Sequence, residues 1–269
     1  MFEGQGDEDF DWLEAAIIED RYYEFPGVWG FVVDLDKRVM AEIVGSLGRG
    51  PVLEIGCANG AVLEGLYEQG IPFVGVDISR MALEHSSERV KPYLRLGDLL
   101  ELDVGDGFGT VFGLDIFEHL NPNRIGKYLG RVAELLSPGG MVFANIPAFG
   151  ADEVFGEVFP YYLPGWDLDN RAGRNFRNIH VDDSGYPVHG HLVWADTRWW
   201  EEQFELAGFT RRFAIEKALH TKYGEYLRAD APARQSLYVM SLGEPPDEPG
   251  VIRAISDTPS AALANWSRP

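Results

Sequence analysis

Cysteine is nearly absent: Cys57 is the only one in 269 residues. An internal disulfide framework is therefore excluded, and the usage fits a reducing compartment. Bases are scarce too, with 23 Lys and Arg against 43 Asp and Glu, for a formal net charge of -20. A field of that sign repels phosphate backbones and anionic bilayers, so neither nucleic acid nor a membrane is expected as a partner. Otherwise the charge speaks only to solubility. No apolar run approaches the roughly 18 residues needed to span a bilayer. The opening MFEGQGDEDFDW lacks a charged-then-apolar signal pattern, and a cytoplasmic location is expected. No internal repeat is present. What remains is ordinary globular composition, 45% hydrophobic with a mean hydropathy of -0.15. The length suits one large α/β domain or two small ones.

Periodicity organises the chain. Residues 9–23 have apolar positions at helical spacing, with Asp9 or Asp11 as the expected N-cap. Residues 34–50 predict a second helix, on Leu35, Val39, Ile43 and Leu47, stopped by Gly48 and Gly50. PVLEI, FVGVDIS, TVFGLDIF and MVFANIP then read as buried strands, the third weakened by Gly113, with helical segments between them. The last of those helices is expected to end at Pro138 and a glycine pair. Apolar strands alternating with helices predict a parallel sheet covered on both faces. Residues 148–192 break the pattern, being rich in Gly, Pro, Asp and aromatics. Residues 197–209 predict a helix capped by Thr197 and ended by Gly208, and FTRRFAIEKAL and SLYVMSL are expected to pair as strands. The Pro-rich tail, 243–269, is expected to add little to the core and to be mobile or draped over the surface.

The turn between the first buried strand and its helix is Gly56-Cys57-Ala58-Asn59-Gly60. A helix start after such a turn offers free N–H groups and the positive end of a dipole. The spacing is G-x-x-x-G, and Ala58 replaces the middle glycine of the dinucleotide pattern. No Gly-Lys-Ser/Thr follows, so it is not a Walker loop either. A ligand with a carboxylate or sulfonium in place of phosphate fits better. Glu54 puts negative charge near a cationic ligand or orients the loop. Asp77 ends the second strand, where ribose hydroxyls are accepted in nucleotide-binding sheets; the bland alternative is a helix cap. Asp98, in LGDLLEL, follows the third strand position, where an adenine amino group would lie.

VLEIGCANG, VGVDIS, GDLLEL, LDIFEHL, LLSPGGMVFANIP and WWEEQFELAGF follow one another in the order seen in class I S-adenosylmethionine-dependent methyltransferases, and the chain resembles that family from about Asp34 to Leu242. The resemblance implies a Rossmann-like, doubly wound, seven-stranded, mostly parallel sheet with helices on both faces and an antiparallel final hairpin. One domain is expected over 1–242, with N-terminal helices in 1–50, and residues 148–192, by their length and aromatic content, are expected to form a lid. The cofactor would be S-adenosylmethionine, held by Glu54, Gly56, Cys57, Gly60, Asp77 and Ile78, with Asp98 and Leu99 at the adenine. Asp115 would take a cofactor-side role. His119 would serve the scaffold or the cofactor side, and stands next in line as a base.

Methyl transfer is an in-line displacement at a sulfonium with a neutral leaving group, so positioning carries most of it. A hydroxyl acceptor also needs a base, usually histidine. Open α/β sheets bind ligands beyond the carboxyl ends of their strands. The 148–192 segment leaves the sheet there and carries Phe149, Phe155, Phe159, Tyr161, Tyr162 and Trp166. It also gathers His180, Asp182, Asp183, His189 and His191, which suit a base or a divalent metal, or else plain loop hydrogen bonding. No metal ligand set is assigned. The expected reaction is methyl transfer to a small molecule, with a hydroxyl of a sugar or polar metabolite as first choice. N-methylation and a non-catalytic cofactor-binding subunit are the alternatives. The oligomeric state is open, with a homodimer as candidate.

Overall fold

In a computed structural model, the structure describes residues 2–3, 6–11, 15, 32–48, 50–157, 178–179, 190–243 and 247–268. The central sheet has seven strands: β1 (Val52–Ile55), β2 (Phe73–Asp77), β3 (Leu94–Leu96), β4 (Phe108–Leu114), β5 (Leu136–Asn145), β6 (Phe209–Arg211) and β7 (Leu237–Leu242). They lie in the order β6-β7-β5-β4-β1-β2-β3. β1 to β5 run parallel, and β7 is antiparallel to both of its neighbours, β5 and β6. The order reverses between β1 and β4, which opens a crevice at their carboxyl ends.

Strand alternation divides the core into two layers, since successive side chains point to opposite faces. Leu53, Val111 and Val142 face one layer; Val52, Phe112 and Phe143 face the other. The first layer is covered by α4 (Ile125–Leu135) and α5 (Thr197–Leu206), and the second by α1 (Leu35–Leu47), α2 (Ala61–Glu68) and α6 (Phe213–Asp230). Between β2 and β3 lies the short α3 (Arg80–Glu84), capped by Ser79. Asp34 caps α1, accepting from the Lys37 amide, and its buried stripe is that of an amphipathic helix. Gly113 does not interrupt β4. A Cβ there would meet Ile116 Cγ2 at 2.5 Å, so the glycine lets the chain fold back onto the strand it has just left.

Several elements differ from the sequence reading. The N-terminal helix is already formed at residue 7, so neither Asp9 nor Asp11 is its cap; the rest of residues 9–23 lies largely outside the described residues. α4 ends at Leu135, and the chain enters β5 ahead of Pro138. Asp196, not Thr197, caps α5 through its bond from the Trp199 amide at 2.8 Å; a carboxylate does this better than a buried threonine. FTRRFAIEKAL is a strand only over Phe209–Arg211. From Phe213 the chain is the 18-residue α6, because Ile215, Leu219, Tyr223 and Leu227 recur at helical spacing and bury one stripe.

The tail is draped over the surface, yet it reaches the core. α7 (Glu248–Asp257) buries Ile255 in the layer under α1 and α6. Glu42 of α1 accepts from Ser260 Oγ at 2.5 Å and from the Ala262 amide at 2.7 Å. Among the described residues no helix is long and apolar enough to cross a membrane.

Candidate functional site

Every strand-end acid named from the sequence lies at one edge of the sheet. The chain leaves β1 and turns across the end of β2: the Gly56 and Cys57 amides both donate to Val76 O, at 2.8 and 3.0 Å. Gly56 adopts φ +68°, and a Cβ there would meet Ile116 at 2.7 Å, so both backbone and space demand glycine. Gly60, at φ 75°, starts α2. Asp77 fastens this loop from below, its Oδ2 accepting from Ala58 N at 2.8 Å and its Oδ1 from Ser79 N at 2.7 Å. It is not the cap of α3, which is Ser79. Burial nevertheless pushes the Asp77 carboxyl up, outweighing these two bonds.

These ends enclose a cavity of about 370 Å³. Glu54, Gly56, Cys57, Asp77, Ile78, Asp98, Leu99 and Asp115 all line it; Gly60 does not, and its place is the turn behind the lining. Asp98 accepts from the Leu100 amide and the Tyr128 hydroxyl, both at 2.9 Å. Cys57 is buried in the cavity lining, and burial raises its thiol well above the usual range, with Asp77 and Glu54 adding to the effect. Glu54 is 4% exposed and its Oε2 has no hydrogen bond among the described residues. Burial, then Asp77, pushes its carboxyl well up.

The sequence did not flag Lys37, Tyr128 and Arg234, which also line the cavity. Arg234 precedes β7 in no recognisable pattern, and only the fold brings it to Asp115 and Asp36, across separations of 119 and 198 residues. Asp115, at φ 51°, occupies the left-handed region that Asp tolerates better than most residues, and Arg234 holds its carboxylate there.

At one wall of the cavity lies His119. Its Nδ1 is 2.9 Å from Gly190 O. A carbonyl only accepts, so in the neutral ring Nδ1 carries the proton. The 190–195 segment reaches this point because the Leu192 and Val193 amides both donate to Glu118 O, at 2.8 and 3.0 Å. That stitching brings the His191 ring to 4.9 Å from His119, edge to face. Glu118, fully buried, points Oε1 to within 3.9 Å of His119 Nε2 and 3.8 Å of His191 Nε2. Burial, then the Asp115 charge, pushes the Glu118 carboxyl well up. The three side chains offer ligand atoms close enough together to share a cation. His180, His189, Asp182 and Asp183 lie outside the described residues, as do Phe159, Tyr161, Tyr162 and Trp166. Of the expected lid aromatics, Phe149 and Phe155 are described, and both are buried in the core.

The order reversal, the glycine turn and the strand-end acids define a Rossmann-like domain built to hold a nucleoside-bearing ligand. Residues 53–142 match the methyltransferase-domain family. The ubiquinone biosynthesis O-methyltransferase of Azorhizobium caulinodans is 33% identical over 100 residues, 35% of this chain and 39% of that protein. Its counterpart in Nitrobacter winogradskyi is 28% identical over 123 residues, 42% of this chain and 46% of the relative. The chain thus spans less than half the length of these curated relatives. Among solved structures, the CcbJ methyltransferase from Streptomyces caelestis superposes with a TM-score of 0.54 at 19% identity, over 86% of this chain and 98% of that one. The 1,6-didemethyltoxoflavin-N1-methyltransferase of Burkholderia thailandensis, solved with 1,6-didemethyltoxoflavin and S-adenosylhomocysteine, superposes with a TM-score of 0.52 at 18% identity, over 90% of this chain and 91% of that one. At such identities the likeness is one of fold. The methyltransferase-domain match over residues 53–142 and the fold shared with these solved methyltransferases agree with each other.

Proposed function

We propose that this chain transfers the methyl group of S-adenosylmethionine to a hydroxyl oxygen of a small polar molecule. The observation that carries the reading is a strand-end cavity lined by the motif acids with a histidine of fixed tautomer in its wall. In this reading Asp77 accepts the ribose hydroxyls, Asp98 and Leu99 take the adenine, and Gly56 admits the sulfonium end close to the backbone. Held there, S-adenosylmethionine would supply an electrophilic methyl group with a neutral thioether as leaving group to an acceptor oxygen placed in line with it. The acceptor proton passes to Nε2 of His119, with Glu118 and His191 beside it. The names of the curated relatives favour oxygen as acceptor.

The test uses methyl-labelled S-adenosylmethionine with a panel of sugars, catechols and amines. A hydroxylated acceptor should be labelled, and His119→Ala should lower kcat by about 10²–10⁴ while S-adenosylhomocysteine affinity stays nearly constant. Labelling of amines alone, with no loss in His119→Ala, would replace the reading by N-methylation, which needs no base. S-adenosylhomocysteine binding with no labelled product would leave a cofactor-binding subunit. The Glu118, His119 and His191 donor set supports a second reading, in which a divalent cation assists. In that case chelation abolishes turnover and added Mg²⁺ or Mn²⁺ restores it.

A further inference from the structure

The cavity lining holds two chemically different groups of residues. Asp98, Leu99 and Tyr128 form one, suited to a flat, weakly polar ring. Lys37, Glu54, Asp115 and Arg234 form the other, where charges of both signs meet within one small volume. Glu54 lies within electrostatic reach of both Arg234 and Lys37.

Arg234 is held from three directions. Its Nη1 donates to Asp115 Oδ2 and, at 2.7 Å, to Asn145 Oδ1, and its Nε donates to Asp36 Oδ2 at 3.2 Å. Asn145, at the end of β5, turns its own amide onto Ala233 O and Ser236 O, at 3.1 Å each. The turn before β7 is therefore clamped on both sides of the arginine. A guanidinium carries five N–H groups, and three are used. The two on Nη2 have no hydrogen-bond partner among the described residues, and Arg234 lines the cavity. Two free N–H groups on a rigid, permanently charged plane match a carboxylate. Nearby, the unpaired Oε2 of Glu54 awaits a donor.

We propose that Arg234 binds the α-carboxylate of the cofactor's amino-acid portion through Nη2, with Glu54 taking the α-ammonium. The inference rests on the cofactor reading given above and extends it to a residue outside every motif. Asp36, Asp115 and Asn145 are positioning residues here: they fix the plane of the guanidinium. The methionine end is then closed by two distant parts of the chain, α1 and the turn before β7. The methyl group is directed toward His119.

Calorimetric titration with three ligands tests this: S-adenosylhomocysteine, the same molecule without its α-carboxylate, and 5′-methylthioadenosine, which lacks the whole amino-acid portion. The protein should prefer S-adenosylhomocysteine over its decarboxylated form by roughly 10- to 100-fold. In Arg234→Met that preference should shrink to within about threefold, with affinity for 5′-methylthioadenosine nearly unchanged. Arg234→Gln keeps donors for Asp115 and Asn145, and gives the same comparison if the Met variant does not fold. A purely structural arginine would weaken all three ligands together. Full retention of the preference in the variants, or no preference in the native protein, overturns the assignment. Binding of neither S-adenosylhomocysteine nor 5′-methylthioadenosine to the native protein would instead sink the cofactor reading beneath it.

Discussion

Glu118 and Glu216 are equally inaccessible to solvent, and they live in opposite circumstances. Glu216, on α6, accepts from Arg211 Nε at 3.0 and 3.1 Å, from Arg211 Nη2 at 2.8 Å and from the Val239 amide at 2.8 Å. Arg211 in turn holds Asp152 with two bonds, at 2.7 and 3.1 Å. Glu118, beside the cavity, has no partner at hydrogen-bonding distance for either carboxylate oxygen among the described residues, and imidazole nitrogens stand 3.8 and 3.9 Å from it. A buried charge whose lone pairs are filled by its own protein is part of the framework. One left unfilled is open to a ligand, a proton or an ion. By this criterion the Arg211 cluster ties the hairpin after residue 150 to the sheet edge, and Glu54 and Glu118 mark the site.

The most severe way to break the comparison is at Arg211. Arg211→Met leaves Glu216 and Asp152 buried without their cation, and removing one partner of such a pair costs about 3–5 kcal/mol. Denaturant unfolding followed by circular dichroism should show this loss; a change below about 1 kcal/mol would mean the cluster is not framework. The next effect is on the same side of the sheet. His220 packs near Phe155, and burial, then Arg228, drops its pKa to about 4. The fold thus prefers the neutral ring. Its stabilising share is complete above the unfolded value of about 6.5 and is lost as pH falls toward 4. The drop is about 2.5 units, so about 3 kcal/mol should disappear across that window. Unfolding midpoints taken from pH 7 to pH 4 should fall more steeply for the native protein than for His220→Gln. Parallel acid limbs would rule out the histidine as the cause.

On the cavity side the effects are on ligands. Asp77→Ala removes an acceptor for the ribose hydroxyls of the cofactor reading. Charge-assisted bonds are worth about 1.5–3 kcal/mol, so S-adenosylhomocysteine affinity should fall roughly 10- to 100-fold. Because Asp77 also pins Ala58 and Ser79, a melting curve accompanies the titration. An unchanged dissociation constant in a folded variant would place the ribose elsewhere.

The two regions also differ in how far a reader of the sequence could see them. The lining of the strand-end cavity is legible because each of its parts is local: an apolar strand, a glycine turn and an acid at a strand end repeat along residues 52–115 in chain order. The same locality gave the parallel strands. The wall around His119 is assembled across long separations. His119 meets Gly190 over 71 residues, and no spacing rule connects LDIFEHL to HGHLVW. Of the grouped lid histidines, only His191 falls among the described residues. Arg234 escaped notice because an arginine before a strand carries no pattern; its meaning comes from Asn145 and Asp36. FTRRFAIEKAL misled because a short apolar run reads as strand or helix alike until the longer period of α6 is followed to Tyr223 and Leu227.

The finest test sets Glu118→Gln against Glu216→Gln. Burial pushes the Glu216 carboxyl up as well, to about 7, against the pull of Arg211, but here the substitution also strips the bonds from Arg211, so stability should fall clearly. In Glu118 it removes a charge that burial and Asp115 oppose more than its own backbone amide and Arg234 offset. Burial and Asp115 raise the Glu118 carboxyl in the folded protein. The stability it permits is complete below the unfolded value of about 4.3 and declines as pH rises through the raised range. Glutamine has the same shape and no proton to lose. The variant should therefore match the native protein near pH 4 and become the more stable of the two above it. A gain of about 1 kcal/mol would correspond to less than one unit of raised pKa. Unfolding curves at pH 4, 6 and 8 measure this. If Glu118→Gln loses as much stability as Glu216→Gln, the two glutamates do the same job, and unfilled lone pairs no longer separate site from framework in this fold.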